Sequence, residues 1–224
     1  VSEQHDASRH PPLVDLRPWG WHAHHLPNPD AGRVGAELFF PGRDPARPFE
    51  LEIGSGKGTF LVQEAAARRD TDFLGIEYAG EFFRYAADRL RRNGMDNVRL
   101  LYIDAMELVR HWLPDGCLRV VHLYFSDPWP KSRHHKRRVV QMESLREFHR
   151  VLQPGGELRL VTDHPELWAW YEEHVAKVTD LFERRAFERP QSAGEGEVVG
   201  TNFERKYRRE GRPFHAMTLV RRGA

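Results

Sequence analysis

The sequence predicts an α/β fold: a doubly wound, mostly parallel sheet with helices on both faces. Three observations predict it. Apolar or alternating runs at 49–53, 72–77, 98–103 and 118–125 recur with helical patterns between them. The first run opens straight into Gly54-Ser-Gly-Lys-Gly58. The other three lead to acids, Glu77, Asp104 and Asp127, and ligands of such sheets bind beyond the carboxyl ends of the strands.

The 224 residues suffice for one domain of this kind with additions. Hydrophobic content of 40% and charged content of 30% fit a globular protein. No run approaches the length of a membrane span and no secretory pattern opens the sequence. A single cysteine, Cys117, forms no internal disulfide, so a cytoplasmic location is expected. The formal net charge is only +1. Binding a polyanion would therefore require segregated charge. Cations crowd at 131–138 and again at 205–212, while Glu195 and Glu197 sit in a Gly-rich stretch.

Residues 1–48 lack clear periodicity and read as an N-terminal arm, linker-like at 41–48, ahead of a domain spanning 49–224. His22, His24 and His25 lack cysteines or a helical carboxylate partner nearby, so no metal site is expected. Trp19 and Trp21 are expected to pack the arm against the domain.

From Phe49 the order is strand, glycine turn, helix over 59–69. Gly54 and Gly56 let a ligand approach the backbone closely, and the helix N-terminus faces it with free N–H groups. No Gly-Lys-Ser/Thr follows, so a phosphate loop fits poorly. Glu77 falls 19 residues beyond Gly58, where an acid accepts from ribose hydroxyls. A dinucleotide would use the same acid. Glu52 discriminates: a carboxylate beside the glycine turn repels pyrophosphate and favours a cationic ligand such as an aminoacyl sulfonium.

Phe82, Phe83, Ala86, Ala87 and Leu90 predict a helix over 79–92, stopped at Gly94. Asp104 can cap the helix at 105–111 and also reach an adenine edge. The strand at 118–125 leads into Ser126-Asp-Pro-Trp-Pro-Lys131 and the cationic run from Arg133 to Arg138. Pro128 and Pro130 stiffen that turn. A helix follows over 139–152, then a strand over 157–162 ending at Asp163. Trp168, Trp170, Tyr171 and Val175 read as the core stripe of a further helix. The last strand is expected at 214–220. Thr201 and Glu204 admit two readings, a helix capping box or a hydroxyl and carboxylate that read a guanine edge.

At this point the motifs resemble those of the bacterial tRNA (guanine-N7)-methyltransferases, in the Rossmann-like, seven-stranded class that uses S-adenosylmethionine. The match rests on Glu52-Ile-Gly-Ser-Gly-Lys-Gly58, Gly75-Ile-Glu77, Asp104-Ala105, the stretch from Phe125 to Arg138, Thr162-Asp163 and Thr201-Asn-Phe-Glu204. The resemblance implies Glu52, Gly54, Gly56, Glu77, Asp104 and Asp127 as cofactor contacts, with Asp127 also catalytic. It implies Lys131, Asp163, Thr201, Asn202, Phe203 and Glu204 as substrate contacts. Arg133, His134, His135, Lys136, Arg137 and Arg138 would bind RNA. Ser126 and Ser132 depart from the family's proline and lysine, and both are expected to loosen the turn or weaken RNA affinity. The implied activity is methylation of guanine N7 at position 46 of tRNA, with no metal, no membrane and no obligatory protein partner, as monomer or homodimer. Rival readings are a methyltransferase on another substrate and a cofactor-binding RNA module without activity. The basic run argues against the first and the retained acids against the second. A nicotinamide dehydrogenase ranks third. Replacing Arg137 and Arg138 together is expected to lower the salt slope of RNA binding by about one to two units.

Overall fold

The computed structural model describes residues 16–223. Its centre is an eight-stranded sheet in the order β1-β4-β3-β2-β5-β6-β8-β7. The strands are β1 (Gly20–His22), β2 (Phe49–Ile53), β3 (Asp72–Ile76), β4 (Val98–Tyr102), β5 (Leu118–Tyr124), β6 (Leu152–Thr162), β7 (Phe182–Arg185) and β8 (His215–Arg221). The helices are α1 (Ala36–Phe39), α2 (Thr59–Ala67), α3 (Gly80–Arg92), α4 (Ala105–His111), α5 (Met142–Val151), α6 (Pro165–Val175) and α7 (Asn202–Arg209).

The mostly parallel sheet is as expected, with one strand more than the seven implied. The addition, β1, comes from the arm and pairs in parallel with β4, from Gly20↔Leu100 to His22↔Tyr102. Trp19 Nε1 donates to the Met95 carbonyl at 2.6 Å, so the arm is packed on the sheet as its tryptophans predicted. At the other edge β8 runs antiparallel to both β6 and β7. Pro154-Gly155-Gly156, between the helix predicted over 139–152 and the strand predicted over 157–162, lies inside β6 as an irregularity. Pairing with β5 jumps there from Leu118↔Leu152 to Val120↔Glu157.

Side chains alternate between two apolar layers, as the two-residue period of a strand requires. Leu74 and Ile76 join the layer formed with Leu108, Leu145, Phe148 and Tyr171. Phe73 points to the other, with Phe60, Leu61, Phe83 and Leu90. The second layer is tight where α2 crosses β3. A Cβ on Gly75 would lie 2.4 Å from Leu61 Cδ1 and 2.7 Å from Leu100 Cδ1. Cys117 is half-buried and burial pushes its thiol up to about 12, which removes it as a nucleophile at neutral pH.

From β2 the chain winds outward through β3 to β4, and from β5 outward the other way to β6. The crevice at the carboxyl ends of β2 and β5 is therefore the point where the winding reverses. Gly75→Ala should destabilise the fold by about 1–3 kcal/mol through overpacking. A melting temperature equal to wild type would contradict that account.

Candidate active site

The glycine turn after β2 is held open by left-handed backbone at Gly54, Gly56 and Gly58, with φ of 79°, 53° and 67°. The N–H groups of Gly54 and Ser55 both donate to the Ile76 carbonyl at 2.9 Å, tying the turn to the end of β3. Glu77 completes the tie. Its carboxylate accepts from Gly56 N and from Ala79 N, each at 2.7 Å.

Glu52 is different. It is buried, and its Oε2 has no hydrogen-bond partner. Burial pushes its carboxyl up to about 7, the Glu77 charge adds to the rise, and the Ser55 hydroxyl pulls the other way. A buried carboxylate without a counter-charge is what a cationic ligand would satisfy. Asp104 caps α4, its Oδ1 accepting from Met106 N at 2.9 Å and Glu107 N at 3.0 Å.

The end of β5 is sharply bent. Phe125 and Trp129 adopt positive φ, 54° and 42°, and between them stands Asp127. Non-glycine residues hold such backbone only where their surroundings fix it. One fixture is Ser126, whose hydroxyl meets the Tyr171 hydroxyl at 2.8 Å. Tyr171 is fully buried, and burial pushes its hydroxyl up to about 12. The serine expected to loosen the turn is thus bonded into it. The Asp127 carboxylate is exposed and makes no hydrogen bond or ion pair among the described residues.

Two adjoining cavities fill the crevice. One, of about 330 Å³, is lined by Glu77, Asp104, Asp127, Gly54, Gly56 and Phe203. The other, of about 450 Å³, is lined by Glu52, Thr201, Asn202 and again Gly54, Gly56 and Phe203. Phe203, on α7, belongs to both and lies against Gly56, where an added Cβ would meet its ring at 3.3 Å. Residues absent from the sequence-based set also line these walls: Tyr78, Phe82 and Tyr124 in the first, and Lys57, Arg205, Lys206 and Arg209 in the second. Tyr78 directly follows Glu77, and that adjacency was its only signal.

Asp163 and Glu204 stand apart from both cavities. Asp163 accepts from Arg212 at 2.7 Å. Burial and the charges of Asp163 and Asp127 both raise the Tyr207 hydroxyl, so the two acids share that neighbour. Thr201 and Glu204 form a helix cap rather than a free reading edge. Thr201 Oγ1 accepts from Glu204 N at 3.0 Å. The Glu204 carboxylate is fully buried and accepts from Val198 N at 2.6 Å, Val199 N and Gly200 N at 2.8 Å, and Arg208 at 2.6 Å.

The two cationic clusters are not equivalent. On α7, Arg205 pairs with Glu197 and Arg208 with Glu204, and beyond the helix Arg212 pairs with Asp163. In the other cluster Lys131, Arg133 and Lys136 are exposed and unpaired among the described residues. Arg137 stacks over the Trp129 ring, 4.8 Å from its centroid. The His134 ring meets Trp129 edge-on and the His135 ring meets Trp170. Arg138, expected as an RNA contact, is buried, 2% exposed, and its guanidinium bonds to the Pro128 carbonyl and to Glu166. In the arm, His22, His24 and His25 pack ring against ring. Among the described residues no group of three or more His, Cys, Asp or Glu could hold a metal ion. No helix among them is long and apolar enough to cross a membrane.

A doubly wound sheet with a glycine turn, strand-tip acids and an adjoining basic segment is the architecture of a nucleotide-cofactor enzyme of the Rossmann-like class. A family model described as "Putative methyltransferase" matches residues 46–217. The tRNA (guanine-N(7)-)-methyltransferase of Alkalilimnicola ehrlichii is 39% identical over 195 residues, covering 85% of this chain and 79% of that protein. Its namesake from Halorhodospira halophila is 38% identical over 199 residues, covering 84% and 79%. The antibiotic-resistance methyltransferase Kmr shares the fold, with a TM-score of 0.53 at 22% identity over 88% of this chain and 94% of that one. The chain belongs to the bacterial tRNA (guanine-N7)-methyltransferase family.

Glu52 supplies a pH test of the ligand-free protein. Its folded carboxyl titrates near 7, above the ordinary 4.5, so the folded state holds that proton longer. Its stabilising contribution is full below about 4.5 and is lost as pH rises through about 7. The melting temperature should fall more steeply between pH 5 and 8 in wild type than in Glu52→Gln. Parallel profiles would contradict the assignment.

Proposed function

We propose that this protein transfers the methyl group of S-adenosylmethionine to N7 of guanine 46 in the variable loop of tRNA. The carrying observation is one of placement. Glu77, Asp104 and Asp127 line one cavity, and unpaired cations begin at Lys131, just beyond the catalytic candidate. The buried, unpartnered Oε2 of Glu52 fits the cationic aminoacyl end of this cofactor. Glu77, already oriented by two backbone N–H groups, would accept from the ribose hydroxyls, and Asp104 would meet the adenine.

The cofactor supplies an activated methyl on a sulfonium. Guanine N7 carries an available lone pair, and its alkylation creates positive charge on the purine without releasing a proton. No general base is needed. The protein's contribution is alignment and electrostatics. Asp127, rigidly placed and unpaired, anchors the base and offsets the growing charge. Lys131, Arg133, Lys136 and Arg137 hold phosphates, and Trp129 walls the base. Phe203 and α7 would screen the bound cofactor from water. Glu204 acts indirectly by ordering the turn at 198–200 that carries α7. N7 faces the major groove of paired RNA, so the tRNA must present the guanine or turn it outward.

The test uses purified protein, transcript tRNA and labelled cofactor, with the modified nucleoside mapped by mass spectrometry. Label is expected at guanine 46 and absent from a transcript carrying adenosine there. Label elsewhere, or none, overturns the reading. Asp127→Asn should lower kcat/KM by roughly 10²-fold or more while cofactor binding persists; full turnover would remove Asp127 from its role.

A further inference from the structure

We propose that Arg138 is a positioning residue for Asp127 and not a ligand of RNA phosphate. The proposal rests on the tRNA methyl-transfer reading above. Arg138 lies at the end of the cationic run 131–138, yet its side chain points inward. Its Nε donates to the Pro128 carbonyl at 2.8 Å, and its Nη2 reaches the Trp129 carbonyl at 3.5 Å. The same Nη2 donates to Glu166 Oε1 at 2.6 Å. The guanidinium lies over the Trp170 ring, 4.9 Å from its centroid. The Arg138 hydrogen bond and charge hold the Glu166 carboxyl below its usual range. A phosphate could reach Arg138 only by displacing these partners.

The bonded carbonyls give the arrangement its meaning. Pro128 and Trp129 directly follow Asp127, and Trp129 carries the left-handed backbone that bends the turn. The bond to Pro128 spans 10 residues, so it closes the base of the loop whose outer part carries Lys131, Arg133, Lys136 and Arg137. Gln141 Nε2 reinforces the closure by donating to the Lys136 and Arg138 carbonyls at 2.9 and 2.7 Å. The Asp127 carboxylate itself has no bond to hold it among the described residues. Its position follows from Ser126–Tyr171 on one side and from Arg138 on the other. Consecutive arginines thus have opposite tasks: Arg137 faces out over Trp129, while Arg138 fastens the backbone beneath.

The test compares wild type, Arg138→Gln and Arg137→Gln. Each is measured for kcat and KM with tRNA, for cofactor Kd, and for tRNA Kd over a range of salt. Arg138→Gln should lower kcat at least tenfold, with both Kd values within about twofold of wild type and an unchanged salt slope. Arg137→Gln should lower the slope by about one unit. A purely structural loss would weaken cofactor binding together with turnover, and that overturns the proposal. So does a slope lowered by one unit in Arg138→Gln with kcat retained. If Arg138→Gln does not fold, Glu166→Gln replaces it. That variant removes the carboxylate behind Arg138, should lower kcat with the slope unchanged, and overturns the proposal if kcat is unaffected. Wild type that fails to methylate tRNA would defeat the functional reading instead; the salt slope of Arg138→Gln still reports whether this arginine meets phosphate.

Discussion

The site depends on one topological constraint. The chain leaves β2 in one direction across the sheet and leaves β5 in the other. Neither crossover covers the gap between their ends, so backbone and side chains are left facing a crevice. Glu52 and Glu77 come from one side of it and Asp127 from the other. The Gly56 N–H bonded to Glu77 and the Ile76 carbonyl shared by Gly54 and Ser55 make the floor a single unit. Much of the remaining chemistry follows from what this floor leaves unsatisfied, above all Glu52.

Charge in this chain is divided between work inside the protein and work outside it. By count, the regions 131–138 and 205–212 look alike. In space they differ, because acids at Glu197, Glu204 and Asp163 neutralise much of the second. In the first, Lys131, Arg133 and Lys136 are without an ion pair among the described residues, Arg137 stacks on Trp129, and Arg138 pairs with Glu166 from α6. Net charge near zero is therefore compatible with one strongly positive surface beside the crevice.

Most of the fold was legible in the sequence because its central strands are apolar runs with unmistakable turns. The helix at 105–111 was read to the residue, and the central strands to within a residue or so. Strand β1, of three residues, and β7, of four, escaped because neither is long enough to show a period. The acids that line the crevice were legible because each sits at or beside a strand tip: Glu52, Glu77, Asp104 and Asp127. The site was less legible where direction mattered. Nothing in a string of arginines says which one turns inward, and Glu204 looked the same whether it faced a base or three backbone N–H groups. The pattern Thr201-x-x-Glu204 did contain the capping answer as one of two open readings.

The short pairing of β1 with β4 has a practical consequence. A protein trimmed to begin at residue 49 would still contain every motif of the crevice. It would also bare the outer backbone of β4, where Leu100 N now meets the Trp19 carbonyl at 2.7 Å. An uncovered strand of that kind is a template for another chain, so such a fragment would be inclined to self-associate. The arm serves as a selvedge, finishing the border of the sheet so that it does not join its neighbour.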